Sequence, residues 1–292
     1  VPQLFAGANG ETGVVDYHGR FVWYELMTTD VAAATTFYSD VVGWNARDAS
    51  TPDFAYTLFA AGEDPVGGLM DLPDEARRMG ATPRWMGYVG VNDVDVTADR
   101  IKRLGGAVHV PPTNSNIGRI AVVADPQTAT LALVERKPGR RQVAEPGKAG
   151  HVGWHELYAT DWRLAFDFYA ELFGWQGAED EIGPARTYQL ISAGGHTIGG
   201  MFTKPATDPV PYWHFYFNAG DIDAAVERVR NSGGQVFEGP FEVGDNSWIA
   251  RCADPQGAAF ALQGKRRQPG IGWSAEWDGI ASKGRLVTKP QG

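Results

Sequence analysis

Apolar and polar positions alternate along Phe21-Val22-Trp23-Tyr24-Glu25-Leu26-Met27, and do so again along Val152-Gly153-Trp154-His155-Glu156-Leu157-Tyr158. A period of two predicts a β-strand in each case, with Trp23, Glu25 and Met27 on one face and Trp154, Glu156 and Tyr158 on the matching face. Thr29-Asp30 and Thr160-Asp161 follow, and a short side-chain oxygen there predicts a helix N-cap. Each copy therefore reads as a strand carrying one inward carboxylate and running into a helix. By the same parity His155 points away from Glu156, and Trp85 and Trp213 point away from the inward set.

After the first strand the periodicity changes to spacings of three and four, with Ala34, Phe37, Tyr38, Val41 and Val42 on one stripe, and Gly43 stops the helix. Short strands are predicted at Phe54–Ala60 and Val66–Leu72, with a Gly-Glu-Asp-Pro turn between them. A second unit begins with a strand at Trp85–Val91, continues as a helix at Val94–Leu104, and ends with strands at Ala107–His109, Arg119–Ala124 and Ala129–Val134. From residue 151 the programme restarts. Asp30, Asp93 and Asp125-Pro126-Gln127 recur as Asp161, Asp221 and Asp254-Pro255-Gln256, while Gly43-Trp44 and Gly67-Gly68 recur as Gly174-Trp175 and Gly199-Gly200. The expected organisation is an arm at 1–19, a first domain at 20–136, a polar linker at 137–150, a second domain at 151–264 and a tail at 265–292. Trp273 and Trp277 are expected to hold the tail against a domain surface. Each domain is two βαβββ units, which makes the fold class α+β.

Composition narrows the function classes. In 292 residues the net charge is -9 and the pI about 5.2, against the clustered positive charge that nucleic-acid binding requires. The basic run at 136–141 contains Pro and Gly and reads as a solvated linker. A single cysteine, Cys252, excludes an intrachain disulfide and a Cys-based zinc cluster, and its surroundings predict a buried strand. No apolar run is long enough for a membrane-spanning helix. The first residues show neither Met nor a signal-peptide pattern, so a processed or trimmed chain with a cytoplasmic location is expected.

The strand ending in Asp, the helix burying Phe-Tyr, the following Gly-Trp and the closing Asp-Pro-Gln-Gly or Asp-Pro-Gln-Thr turn resemble the vicinal oxygen chelate superfamily. That group includes glyoxalase I, bleomycin-resistance and fosfomycin-resistance proteins and type I extradiol dioxygenases. The resemblance spans roughly residues 20–264 and implies paired units curving around a cup, with function varying widely on the fold. It also implies a divalent metal held by His, Gln or Glu on the concave strands. The first-strand ligand positions, seven residues before each strand-end Asp, hold Trp23, Met86, Trp154 and His214. The last-strand positions, seven residues after the Asp of Asp-Pro, hold Ala132 and Ala261. Only His214 can ligate, so no cofactor is expected.

An indole cannot coordinate a metal, but it can stack on a planar ligand. A carboxylate beside it is partly desolvated, which suits acid-base work. The candidate catalytic residues are Glu156, His214 and Glu25. The candidate ligand-binding residues are Trp23, Trp154, Tyr158, Tyr216, Asn218, Met86 and Tyr88. Each has a structural alternative: the carboxylates as hydrogen-bond anchors, the tryptophans as core, His214 as a satisfied core histidine. The Gly-Gly pairs lack the context of a phosphate loop and predict close backbone approach or a bulge. The expected function is a glyoxalase-like protein that binds a small aromatic or carbonyl-bearing molecule in an aromatic-lined cup. Metal-independent lyase or isomerase chemistry by Glu156 and His214 is expected to accompany binding, with the second domain, which alone has the imidazole, carrying it. Two alternatives stand: a ligand-sequestering protein of the resistance type, and a metal-dependent lyase or dioxygenase with a relocated site. The expected partners are a small molecule and at most a second copy of the chain, as a monomer or homodimer, with no nucleic acid and no membrane.

Overall fold

The computed structural model describes residues 17–135, 147–177, 179–181, 187–244 and 246–266. The tail with Trp273 and Trp277, most of the arm and most of the linker lie outside the described residues.

The first half runs β1 (Phe21–Thr28), α1 (Val31–Val42), β2 (Asn45–Asp48), β3 (Thr57–Ala61), β4 (Asp64–Asp71), α2 (Asp74–Arg78), β5 (Arg84–Val91), α3 (Val94–Arg103), β6 (Ala107–Ser115), β7 (Gly118–Ala124) and β8 (Thr130–Glu135). The second half repeats this without the short helix. It comprises β9 (Val152–Ala159), α4 (Trp162–Phe173), β10 (Glu179–Glu181), β11 (Thr187–Ala193), β12 (His196–Thr203), β13 (Tyr212–Asp221), α5 (Ile222–Asn231), β14 (Gln235–Gly244), β15 (Ser247–Ala253) and β16 (Ala259–Lys265). Each half forms one eight-stranded mixed sheet, ordered β2-β3-β4-β1-β5-β8-β7-β6 and β10-β11-β12-β9-β13-β16-β15-β14. Within each unit the first and last strands are parallel, and the two units of a half meet as an antiparallel pair, β1 with β5 and β9 with β13.

The local chemistry follows the sequence. Asp30, Asp93, Asp161 and Asp221 all cap helices by accepting from backbone N–H groups of the first turn. Gly43 and Gly174 end α1 and α4 in the left-handed region, at φ of 83° and 73°. Four features depart from the sequence expectation. Strand β2 has no buried residue and therefore no periodic signal, and α2 is a short exposed helix. Strand β3 starts at Thr57 rather than Phe54, because Phe54 is occupied in a bridge with Thr51. Strand β6 runs through Pro111 and Pro112 to Ser115, well beyond His109. A sheet edge tolerates proline, and the register shifts against β7 there.

Helices α1, α3, α4 and α5 lie on the side where the halves meet, and one continuous core joins both. Tyr38 of α1 accepts from Trp85 Nε1 in its own half (2.8 Å) and donates to Asp254 of the other (3.2 Å). Tyr169 of α4 accepts from Trp213 Nε1 (3.2 Å) and donates to Asp125 (3.1 Å). Trp85 and Trp213 thus occupy the helix side, as their parity predicts. Each aspartate also accepts the backbone N–H groups of its own turn, so the Asp-Pro-Gln turns latch the halves reciprocally. Burial raises the pKa of both carboxyls.

Tyr24 and His155 occupy corresponding positions of the two halves and meet across this interface, Oη to Nε2 at 2.6 Å. His155 Nδ1 lies 2.5 Å from the Ile198 carbonyl, which can only accept. Nδ1 is therefore the protonated nitrogen and Tyr24 donates to Nε2. Burial lowers the His155 pKa from 6.5 to about 4, against the opposing pull of the Ile198 bond. Between those values the unfolded chain binds more protons at this site than the folded one. The stabilisation is complete above pH 6.5 and is lost as pH falls toward 4, amounting to about 3 kcal/mol at 1.36 kcal/mol per pKa unit. In urea titrations at pH 7 and pH 4.5, His155→Phe is expected to lose less stability on acidification than the parent. Equal losses would contradict this assignment.

Candidate active site

The face of each sheet turned away from the helices carries one hydrogen-bonded cluster built on the inward carboxylate. In the first half Tyr56 donates to Glu25 Oε1 (2.9 Å) and Tyr88 to Glu25 Oε2 (2.5 Å), while Trp23 Nε1 donates to Tyr56 Oη (3.2 Å). In the second half Tyr188 donates to Glu156 Oε1 (2.9 Å) and Tyr216 to Glu156 Oε2 (2.5 Å), while Trp154 Nε1 donates to Tyr188 Oη (2.8 Å). The strand register produces this directly: Glu25 stands opposite Met86 and Trp23 opposite Tyr88, as Glu156 stands opposite His214 and Trp154 opposite Tyr216.

The glycine pairs make room for both clusters. A Cβ on Gly68 would lie 1.7 Å from Tyr56 Oη, and one on Gly200 would lie 2.1 Å from the Tyr188 ring. Gly67 and Gly199 do the same for the backbone, where a Cβ would lie 2.9 Å from the Tyr24 carbonyl oxygen and 2.0 Å from that of His155. The close approach expected of these pairs is observed, and it also seats a tyrosine that parity arguments did not single out.

The clusters differ in charge. Around Glu25 every donor is neutral, and Met27, Leu58, Leu72, Met86 and Val134 belong to the same buried apolar cluster as Trp23 and Tyr88. Desolvation raises the Glu25 pKa, opposed by the bonds from Tyr88 and Tyr56. Trp23 is only 2 % exposed within that cluster. In the second half Arg251 Nη2 adds a third donor to Glu156 (3.2 Å), while its Nη1 bonds the exposed Glu238 (2.6 Å). The guanidinium carbon lies 5.4 Å from the Tyr158 ring, which itself stacks on Tyr212 at 4.5 Å. Arg251 faces Ala261 in register as Val122 faces Ala132 in the first half, so the guanidinium on the carboxylate has no counterpart at Val122.

His214 stands beside Glu156 on the neighbouring strand and is 4 % exposed; its Nε2 has no hydrogen-bond partner. Its pKa is lowered to about 3 by burial and then by the Arg251 charge, with a hydrogen bond to the Phe260 backbone opposing. A backbone bond that raises an imidazole pKa is one in which a ring N–H donates to the carbonyl, and with Nε2 unpartnered that donor is Nδ1. His214 is thus neutral at pH 7, with its Nε2 buried and unpartnered.

The structure brings Glu156, His214, Tyr216, Trp154 and Tyr158 to one cup and Glu25, Trp23, Met86 and Tyr88 to the other. Asn218 is engaged elsewhere: it donates to the Lys148 carbonyl (3.0 Å) and accepts from Gln263 (2.6 Å). Sequence reasoning missed Tyr56, Tyr188 and Arg251. The tyrosines recur in the repeat as Tyr56-Thr57-Leu58 and Tyr188-Gln189-Leu190, and Arg251 shows as a charge where the first half has Val122.

The donor set does not fit the metal that the superfamily resemblance implies. Trp154 and Ala261 supply no lone pair beside His214, and Trp23, Met86 and Ala132 offer at most a thioether. Among the described residues no three His, Cys, Asp or Glu side chains are grouped to hold an ion. Also among them, no helix is long and apolar enough to cross a membrane.

Comparison with known proteins agrees with this architecture. The sequence model of the glyoxalase/bleomycin resistance protein/dioxygenase superfamily matches twice, at residues 20–133 and 148–262. A protein of Mycobacterium bovis named "Putative glyoxylase CFP32" is 31% identical over 245 residues, covering 82% of this chain and 92% of its own. The anthracycline biosynthesis protein DnrV of Streptomyces peucetius is 30% identical over 257 residues, covering 84% and 92%. Among solved structures, the Mn(II)-bound glyoxalase from Novosphingobium aromaticivorans superposes with a TM-score of 0.58 at 16% identity, over 87% of this chain and 84% of that one, a likeness of fold. With both halves matched and relatives aligned along most of their length, the chain belongs to the glyoxalase/bleomycin resistance protein/dioxygenase superfamily and carries two of its domains in tandem.

Proposed function

We propose that the chain binds a small aromatic or carbonyl-bearing molecule in the second cup and turns it over by metal-independent proton transfer of lyase or isomerase type. The observation that carries this reading is the neutral His214, whose Nε2 is buried without a partner beside the Glu156 cluster. In this reading His214 accepts the proton. Glu156, loaded with three donors, holds Tyr188, Tyr216 and Arg251 in place, and the guanidinium stabilises the charge left on the ligand. Glu25 meets only neutral donors among buried apolar side chains and anchors structure. A relative whose name places it in anthracycline biosynthesis supports an aromatic ligand.

Proton exchange tests the chemistry without a known substrate. With 2-tetralone in D2O, followed by loss of the α-proton NMR signal, the protein is expected to accelerate exchange over buffer by roughly 100-fold or more, the usual scale of acid-base catalysis. Chelator should leave the rate unchanged and His214→Phe should remove it. Binding of 2-tetralone without exchange favours the sequestering alternative, with which the fully bonded Glu156 is also compatible. Exchange lost with a stoichiometric metal would favour a relocated metal site.

A further inference from the structure

In the first half Arg119 of β7 pairs with Asp95 of α3, through Nε (2.5 Å) and Nη2 (2.8 Å). The second half has Trp248 at that place on β15, and the matching Asp223 of α5 is paired instead by Arg266, through Nε (2.7 Å) and Nη2 (2.6 Å). The Arg266 guanidinium lies over the Trp248 ring, 3.8 Å from its centroid, and Trp248 stands opposite Glu242 of β14. Ser247 pairs with Lys265 on one side and with Gly244 of β14 on the other. The chain beyond Arg266 therefore starts about two strand spacings, roughly 10 Å, from the end of β14, which is the edge of the sheet.

That edge differs between the halves. Phe237, Phe241 and Val243 of β14 are 58, 38 and 54 % exposed, with Glu238 and Glu242 among them. On the corresponding edge, β6, Thr113 and Asn114 stand opposite Ile120 and Arg119 as Phe241 and Glu242 stand opposite Ile249 and Trp248. Natural sheet edges are normally kept polar or charged, because a flat apolar edge invites another strand. Pro240 has no N–H and the register shifts near it, so the stretch open to pairing is 241–244, at the end where the chain leaves. A second copy of β14 is a poor partner, since antiparallel pairing of the same edge brings glutamate to glutamate. Residues 267–292 lie outside the described residues. In their sequence Lys283-Gly284-Arg285-Leu286-Val287-Thr288-Lys289 carries three cations, no anion and strand-forming residues at its centre. The stretch around Trp273 and Trp277 carries Glu276 and Asp278 instead. The sixteen residues 267–282, at about 3.3 Å each when extended, span far more than the separation to be crossed. We propose that residues 283–289 lie along the outer edge of β14 as an added strand, covering Phe241 and Val243 and setting cations against Glu242. This inference is independent of what the second cup binds.

Cysteine pairs in the full chain test this. With Val243→Cys and Val287→Cys, mild oxidation of dilute protein is expected to close an intrachain disulfide about tenfold or more faster than with Val110→Cys and Val287→Cys, which puts the first thiol on the exposed edge β6. Arg285→Cys and Lys289→Cys in place of Val287→Cys cover the neighbouring registers, since a bridge needs Cα atoms about 4.4–6.8 Å apart. The native Cys252 does not compete, being buried with its thiol pushed up to about 12. Amide exchange on the unaltered chain gives a reading that needs no variant: residues 241–244 should exchange about tenfold or more slowly than residues 113–115 of β6. Equal closure at the two edges in every register, or equal exchange, overturns the proposal. Faster closure from Trp273→Cys or Trp277→Cys also overturns it, by giving the edge to another stretch of the chain. A disulfide between two chains in place of the intrachain one overturns it by giving the edge to a second copy.

Discussion

Glu156→Ala is expected to lower stability by about 3–5 kcal/mol, whereas Glu25→Ala should cost only about 1–3 kcal/mol. Both carboxylates are buried and both accept from two tyrosines. The difference is Arg251, a buried-side cation that keeps only Glu238 once Glu156 is gone. Urea titrations at pH 7 of the two single variants, read against each other, check this, because the halves share fold, register and hydrogen-bond pattern. In a thermal scan each kcal/mol corresponds to roughly 2–4 °C for domains of this size. Adding Arg251→Met to Glu156→Ala should recover part of the loss, since an apolar residue in that place leaves no unpaired charge. Equal losses for Glu25→Ala and Glu156→Ala, or no recovery in the double variant, would show that the guanidinium is not what distinguishes the cups.

The second large effect is expected at Gly199. A Cβ there meets the His155 carbonyl oxygen at 2.0 Å, inside the parallel pairing of β12 with β9. That oxygen is backbone and cannot turn away, so Gly199→Ala must separate the two strands. A cost at or above the usual range for overpacking, about 3 kcal/mol or more, is expected from denaturant midpoints. Gly67→Ala is the matched control, with the Tyr24 carbonyl oxygen at 2.9 Å, and should cost distinctly less. At Gly200 the obstacle is the Tyr188 ring at 2.1 Å, a side chain that can move. Gly200→Ala should therefore spare stability relative to Gly199→Ala and instead detach Tyr188 from Glu156. A loss of ligand binding larger than the loss of stability would be its signature.

The fold was legible because its rules are local. Period-two strands, Asp caps, Gly stops and a repeated Asp-Pro-Gln turn are each written within a few residues, and the second copy confirms the first. Parity alone placed Trp85, Trp213 and His155 on the helix side, where they lie. The edge strand β2 was illegible because none of its positions is buried, and the extent of β6 because its prolines read as an ending. The site was legible one strand at a time. Glu25, Glu156, His214, Tyr88 and Tyr216 follow from inward parity, but their partners do not. Tyr56 reaches Glu25 from the residue before β3 and Tyr188 reaches Glu156 from β11, and the register of both strands is set by bulges. Arg251 arrives from β15, and the pairing of Arg251 with Ala261 is a fact of sheet order rather than of spacing. Comparing the halves position by position supplies the missing signal, since the second carries a charge and an imidazole where the first has Val122 and Met86.

The meeting of Tyr24 with His155 has a consequence for how such a chain can change. Two identical subunits related by an axis must place the same side chain on both sides of it, so whatever stands there has to pair with itself. A covalently joined pair is released from that requirement. One side has become a phenol that gives a proton and the other an imidazole that takes it. Nearby, Gly87 leaves the space that Phe215, its counterpart, fills. The same release lets one half surround its carboxylate with neutral and apolar side chains while its twin sets a guanidinium and an unpartnered imidazole beside the matching one, a difference closed to a symmetric pair.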